Sequence, residues 1–465
     1  MKIRIRLGLF IALLTCGIAL TGVYADEKVK ASKNGTSVGF HVQPKPLSEQ
    51  VEKGLEYLVN QQQANGGWGQ GGGWRSSRQG GRVEGADVQD PADVADTCMA
   101  ALALVRAGST PTHGKYAKNL ARAVDFICSH VDRADKDTLF VTDVRDTQVQ
   151  VKIGPYVDTF LASLVLAELK GKMPGQESEK RLVAALAKTV GKIEKNQKDD
   201  GTFAGNNGWA SIFSQGLASK ALNRARQSGY DVKDQALVRA EGNALAALDT
   251  KSGTFKSPAA FGGVGVGAGL ARGGALSVGA LGRPLSAAPV ALSMPSDAGV
   301  PVYFSSNNLA GLQEALNTAK AGEKRSRDIL ADKNASKREK DKARSDLERL
   351  GKLQTAQKTA VAGLAGQLSD KRFVQGFGSN GGEEFLSYLN ISETLVATGG
   401  AEWRKWDKSV TENLNRIQNQ DGSWSGQHCI TGRTICTAAA LMVLMADRTP
   451  IPAALPTDNR NPRGK

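Results

Sequence analysis

Apolar positions recur along the chain at the three-and-four spacing of one-sided helices. The stripes comprise Val51, Leu55, Leu58 and Val59, then Leu182, Leu186, Val190 and Ile193, and later Val410, Leu414 and Ile417. Other segments, at 97–107, 212–222 and 435–445, are apolar nearly all round. A helix of that kind must be enclosed by protein. The pattern therefore predicts an all-α protein in which half-exposed helices alternate with buried ones.

A polar glycine turn ending in an aromatic residue follows each striped helix. The turns read NQQQANGGW at 60–68, NQKDDGTF at 196–203 and NQDGSW at 419–424, and a fainter copy lies at 249–255. Glycine supplies the left-handed backbone that reverses the chain direction. The regular alternation predicts a double ring of helices, with an open array of helical hairpins as the alternative.

The QDGSW segment at 420–424 and its copies resemble the repeat signature of squalene and oxidosqualene cyclases, which protein prenyltransferase β-subunits share in looser form. The resemblance covers 50–255 and 383–447. It implies an α/α toroid, which is a closed ring of helix pairs. It implies less about chemistry, since these turns are structural throughout the family.

The first 25 residues have the pattern of a secretory signal peptide. Lys2, Arg4 and Arg6 precede an apolar run at 7–21, and a small-x-small cleavage motif follows at 23–25. The sequence therefore predicts export to the periplasm or the medium. Lipidation and a retained N-terminal anchor remain as alternatives. After this segment no apolar stretch is long enough to span a bilayer, so a mature chain without a transmembrane helix is expected.

Two segments interrupt the helical pattern in the second half. Residues 257–300 are rich in Gly, Ala and Ser, which predicts a loosely packed insertion. Residues 301–372 are charged and strongly helical, which predicts a protruding helical hairpin that can be removed without unfolding the rest. The predicted division is a signal peptide at 1–25, a linker at 26–49, toroid parts at 50–256 and 373–447, insertions at 257–300 and 301–372, and a disordered tail at 448–465.

Composition and charge narrow the classes of ligand and partner. A chain of 465 residues with 40% apolar and 23% charged residues is globular, and the formal net charge of +14 suits anionic ligands. The 301–372 segment has fifteen Lys and Arg against nine Asp and Glu, which fits either a solvated charged face or a docking surface for an acidic protein partner. That segment lacks interleaved aromatic residues, so nucleic acid is not expected.

The resemblance to cyclases implies a catalytic acid in an Asp-x-Asp-Asp motif, which this sequence lacks. Its nearest counterparts are Asp90, Asp93 and Asp96, just before a buried helix. Helix capping is the alternative role for them.

The resemblance to prenyltransferases implies zinc, held by an Asp-x-Cys pair and a later His. Asp96, Cys98 and His428 are the matching residues. In an oxidising compartment, a disulfide between Cys429 and Cys436 is the competing hypothesis, and we favour it over zinc. A disulfide from Cys98 to Cys429 or Cys436, and buried free thiols, remain as alternatives.

Toroidal folds also occur in lyases and hydrolases that act on anionic polysaccharide. For such an enzyme the candidate catalytic residues are Glu383, Glu384 and Tyr388. The alternative for the two glutamates is interaction with a helix dipole. The leading hypothesis is an exported toroid that binds a hydrophobic or anionic ligand in its cavity or rim, and an enzyme on the same fold is the alternative.

Overall fold

The computed structural model describes residues 42–75, 81–85, 87–208, 210–256, 299–369 and 380–450. Regular structure in these ranges is almost entirely helical, which confirms the all-α prediction. The signal segment and nearly all of the Gly/Ala-rich insertion lie outside the described residues. The helices are α1 (Glu49–Gln61), α2 (Val94–Arg106), α3 (Ala117–Arg133), α4 (Gln148–Ile153), α5 (Val157–Leu169), α6 (Gln176–Asn196), α7 (Ser211–Gln227), α8 (Asp234–Ala247), α9 (Gly299–Ala331), α10 (Lys337–Gln367), α11 (Gly382–Thr398), α12 (Gly400–Ile417) and α13 (Arg433–Leu444). A short antiparallel pair, β1 (Gly73–Trp74) and β2 (Arg82–Val83), lies between α1 and α2.

The predominantly buried helices contact one another in chain order. Helix α2 packs against α5, α5 against α7, α7 against α9, α9 against α11, α11 against α13, and α13 returns to α2. In α2, α5 and α13 nearly every residue is buried, as the all-round apolar pattern predicted. The first and last of these helices are therefore neighbours although they lie more than 300 residues apart.

The remaining long helices each cover buried ones with one face. Helix α1 packs on α13 and α2, α3 on α2, α6 on α5, α8 on α9 and α7, α10 on α9, and α12 on α11 and α13. Their apolar stripes supply the covering contacts, as in α1, where Val51, Leu55 and Leu58 are buried. Their other faces are exposed to solvent.

The tryptophans that end two of the glycine turns make the same contacts. The indole N–H of Trp68 donates to a backbone carbonyl ten residues earlier at 2.6 Å, and that of Trp424 does the same at 2.8 Å. Each backbone N–H donates at 2.9 Å to a threonine in the next buried helix, Thr97 or Thr437. Both indoles are fully buried, so each fixes a turn between two successive helices.

Each glycine turn also packs against the next half-exposed helix. Gly422 has a φ of +86°, and a Cβ at this position would lie 2.6 Å from the carbonyl oxygen of Lys53 in α1. Only glycine fits both the conformation and the space. The turn that follows α12 therefore packs on the first helix of the chain. The corresponding glycines of the other turns are Gly66 against α3, Gly201 against α8 and Gly253 against α10.

Helices α9 and α10 form the predicted antiparallel pair, but the pair does not simply protrude. The first half of α9 packs between α7 and α11, and the side chains of Tyr303, Leu309 and Leu312 are at least nine-tenths buried. Part of the surplus positive charge is paired within this unit and with α8, as in the ion pairs of Lys342 with Asp234 and of Arg349 with Glu241. None of the described helices is long and apolar enough to cross a membrane.

Candidate functional site

A cavity lies between α2, α5, α7, α9, α11 and α13. Its volume is about 40 Å³, which is room for a few water molecules. Its walls are mostly apolar. The apolar lining residues are Met99, Leu102, Leu161, Leu164, Phe213, Leu217, Ala310, Leu386, Leu389 and Met442. Apolar walls with a few polar groups at one end are typical of small-molecule sites, although most such sites are larger.

Charged side chains gather where the buried helices end. Glu393 of α11 pairs with Arg106, the last residue of α2, at 2.6 Å, and with Lys220 of α7. Burial alone would raise the pKa of Glu393, but the cations Lys220, Arg106 and Arg224 outweigh it and hold the pKa at about 2. One end of the cavity is therefore lined by ion pairs, and the rest of its wall is mostly apolar.

A second ion pair extends this charged end. Arg224 donates to both carboxylate oxygens of Glu314 in α9, at 2.9 and 2.7 Å. It also donates to the carbonyl of Pro450 at 3.2 Å, so residues 448–450 of the predicted tail pack against the protein.

We did not predict Arg106, Lys220 or Glu393 as site residues. Their only signal is a charge within an otherwise apolar helical segment.

Carboxyl groups gather at the opposite end of the buried helices. Asp93 is the N-cap of α2 and accepts from the backbone N–H of Asp96 at 2.9 Å, so for this residue the capping alternative is the one observed. Asp158 accepts from the backbone N–H of Ala95 at 3.0 Å and from Gln150 at 2.6 Å. Among the described residues, Asp96 Oδ1 has no hydrogen-bond partner.

Burial changes the ionisation of these acids. It raises the pKa of Asp158 to about 6. Burial also raises the pKa of Asp93 and Asp96, and the nearby charge of Asp158 adds to both shifts. Asp90 has a different role, because it accepts from the backbone N–H of Gly72 at 2.8 Å and pairs with Arg75. It therefore holds the β1–β2 segment against the start of α2.

We expect the protein to be more stable at pH 5 than at pH 8. An unfolded Asp loses its proton near pH 3.8, whereas folded Asp158 keeps it to about pH 6. The folded state therefore binds more protons in this window, and its stability falls as the pH rises through it. Between pH 5 and pH 8, Asp158 alone accounts for roughly 1.4 kcal/mol, since about one pH unit of this window lies below its folded pKa. Thermal unfolding followed by circular dichroism should give a midpoint several degrees higher at pH 5.

Asp158→Asn should reduce this difference, because its side chain cannot ionise. An unfolding midpoint that is equal or higher at pH 8 in the wild type would contradict the prediction. The pKa of Glu393 is lowered, so Glu393 changes the stability of the protein only between about pH 2 and its ordinary pKa of 4.5. This range lies below pH 5, so Glu393 does not affect the comparison of pH 5 with pH 8.

A second group of polar side chains lies where α11 begins. Glu383 is fully buried, and its ligand atom, that of His428 and that of Cys429 lie within 4.8 Å of one another. Glu384 Oε1 lies 3.5 Å from His428 Nε2 and accepts from the Tyr303 hydroxyl of α9. Glu384 Oε2 accepts from the backbone N–H of Gly381 at 2.7 Å.

The charges in this group depend on one another. Side-chain hydrogen bonds with Cys429 and Glu384 raise the pKa of His428 to about 11. Burial, together with the neighbouring Glu384, raises the pKa of Glu383. At neutral pH a positively charged imidazole therefore lies beside two carboxyl groups.

Tyr388 does not join these glutamates at a surface. Its side chain is fully buried, its hydroxyl donates to Asn380 Oδ1 at 3.4 Å, and its ring packs edge-on against Trp406. Glu383 and Glu384 are buried as well. A polymer has no access to this set as it stands, so the arrangement does not favour the polysaccharide hypothesis.

The predicted zinc ligands Asp96, Cys98 and His428 do not come together. Positions two apart on a helix face different directions, and Cys98 is fully buried, where burial raises its pKa and Cys128 of α3 is a neighbour. His428 lies instead with Glu383, Glu384 and Cys429.

The predicted disulfide is also not formed. Among the described residues, Cys98, Cys128, Cys429 and Cys436 are all free thiols. Cys436 Sγ lies 3.8 Å from the carbonyl oxygen of Ile430, while Cys429 belongs to the group around His428. The two thiols thus have different surroundings.

Comparison of the chain with profiles of protein families, with curated proteins and with solved structures gave no match. The resemblance to cyclases and prenyltransferases therefore rests on the turn residues alone.

Proposed function

We propose that this chain is an exported α/α toroid, similar to squalene cyclases and prenyltransferases, that binds a slender apolar molecule with a polar head group in its central cavity. The observation that carries the proposal is the cavity itself, because all of the buried helices that contact one another in chain order line it. The return of α13 to α2, and the packing of the last glycine turn on α1, support a closed ring.

The lining favours this class of ligand. Apolar side chains from α2, α5, α7 and α11 form the walls, so an acyl or isoprenyl chain gains by leaving water. The polar head group belongs at the charged end, where Glu393 lies between Arg106 and Lys220. Asn390 donates to Asn307 at 3.0 Å nearby, which adds a neutral polar contact.

A cavity-filling variant should test this function. Ala310 of α9 lines the cavity, so Ala310→Leu adds three carbons to the space that the ligand needs. With cis-parinarate, a linear fluorescent polyene carboxylate, we expect the wild type to bind about one molecule per chain. Ala310→Leu should weaken that binding roughly 5- to 150-fold, as overfilling a packed site costs about 1–3 kcal/mol.

Ala331→Leu is the matched control, since Ala331 is exposed at the end of the same helix. It should bind the probe as the wild type does. Equal binding by the two variants, or no binding by the wild type, would reject the cavity as the ligand site.

A second function, proton-donating catalysis on the same ligand, is favoured by the positions of two acids. Asp96 and Asp158 each lie three residues before a residue that lines the cavity, Met99 and Leu161. Both are buried and have raised pKa values, so they retain protons at mildly acidic pH. Acids of this kind serve as proton donors in enzymes. This catalysis requires a bound isoprenoid, so the probe experiment comes first.

A further inference from the structure

Three side chains of different chemistry converge where α11 begins. The ligand atoms of Glu383, His428 and Cys429 all lie within 4.8 Å of one another. They offer one oxygen, one nitrogen and one sulfur, a mixed donor set that suits zinc. We infer that these three side chains bind a divalent transition metal ion of the zinc class, with a fourth coordination position open to water or to a substrate atom.

Glu383 is the first support for this site. It is fully buried. Its Oε2 accepts from the backbone N–H of Ile430 at 3.3 Å, whereas among the described residues its Oε1 has no hydrogen-bond partner. A buried carboxylate oxygen without a partner is costly. Helix capping does not explain Glu383, because Glu384 is the residue that accepts from the backbone before α11.

The backbone is shaped to bring the donors together. Cys429 has a φ of +53°, in the left-handed region that non-glycine residues rarely adopt and that clusters at functional sites. Gly381 lets the imidazole approach the start of α11, since a Cβ there would lie 2.7 Å from His428 Cε1. At Gly382 a Cβ would meet the side chain of Ile430. Side chains at either glycine would push the loop, and with it two of the donors, away from Glu383.

Neighbouring groups orient the imidazole. Tyr303 of α9 donates to Glu384, and Glu384 lies 3.5 Å from His428 Nε2. A carboxylate behind a histidine is the usual arrangement around a metal-bound imidazole, because it fixes the ring and increases its basicity.

The donor types restrict the metal. Magnesium and calcium prefer oxygen ligands throughout, so a thiol and an imidazole disfavour them. The family resemblance implies the ligands Asp96, Cys98 and His428, and of these only His428 belongs to the present site. Metal binding does not depend on a ligand in the central cavity. The metal-site inference and the proposed function can therefore fail independently.

The test uses the full chain, stripped of metal with a chelator and titrated with zinc against a chromophoric competitor. The wild type should bind one zinc ion per chain. Cys429→Ser should lower the affinity more than about 100-fold, since losing even an outer-shell partner typically costs 10–100-fold. Cys128→Ser, at a buried thiol of α3 outside the site, is the matched control and should bind as the wild type does.

A second measurement on the wild type keeps the test independent of the folding of the variant. Cys429 is partly exposed, whereas Cys98, Cys128 and Cys436 are buried. Alkylation of the native protein, mapped by mass spectrometry, should therefore modify Cys429 first, and zinc should protect it. Absence of zinc binding by the wild type, equal affinity of the two serine variants, or alkylation of Cys429 at the same rate with and without zinc would each overturn the inference.

Discussion

A chain in which Phe255 is joined directly to Phe373 should fail to form a soluble, folded protein. This result is the opposite of what the sequence predicted, because the hairpin was expected to be removable. The deletion removes α9, which packs between α7 and α11. Expression should yield aggregated protein, or a soluble form without a cooperative thermal transition by circular dichroism.

The energy at stake explains the size of this effect. The apolar side chains lost from the buried half of α9 are Val302, Tyr303, Phe304, Leu309, Leu312 and Leu316. At about 1.5–3 kcal/mol for each large side chain, burial here contributes roughly 10 kcal/mol or more, comparable with the whole net stability of a typical protein, about 5–15 kcal/mol. The deletion also removes Glu314 and leaves the buried Arg224 without its carboxylate.

A smaller deletion is the control. Replacing 325–343, the mostly exposed tip of the hairpin, with a short Gly-Ser turn keeps the buried half of α9 and should leave a cooperative transition. If the full deletion stayed soluble and helical with a cooperative transition, α9 would be an accessory element, as the sequence suggested.

The reason that the sequence misplaced α9 lies in its polar residues. Positions 305–308 read Ser-Ser-Asn-Asn, which is typical of a loop or an exposed face, yet all four are buried. Asn307 and Asn308 donate to carbonyl oxygens of the preceding turn, at 2.9 and 3.0 Å. Small polar side chains that bond to their own helix can be buried at low cost. Hydropathy alone cannot distinguish them from exposed ones.

The striped and apolar helices were easier to predict, because each is specified by local spacing. Thus α2 and α13 occur within about three residues of the predicted positions. The group around Glu383 was only half predictable. The sequence suggested Glu383 and Glu384 for polysaccharide cleavage and His428 for zinc binding. Because Glu383 and His428 lie some 45 residues apart, their positions in the chain do not show that they meet in the fold.

Glu393→Ala should be the most damaging single substitution in the charged end of the cavity, lowering the free energy of unfolding by about 3–5 kcal/mol. Glu393 is the only described carboxylate that forms a salt bridge with both Arg106 and Lys220, and the side chains of these two cations are at least nine-tenths buried. Removing the carboxylate leaves two positive charges in a site that water reaches poorly. Their mutual repulsion adds to the cost of burying each one. Urea unfolding followed by circular dichroism measures the loss.

Two further substitutions isolate the cause of that loss. Glu177→Ala removes an exposed carboxylate that pairs with Lys180, and it should cost no more than about 1 kcal/mol, as for other surface pairs. Adding Lys220→Met to Glu393→Ala removes one of the two stranded cations and should restore part of the stability, because an apolar side chain of similar length suits the cavity wall. If the double variant were less stable than Glu393→Ala alone, the lost packing of the glutamate, rather than the uncompensated charge, would be the source of the effect.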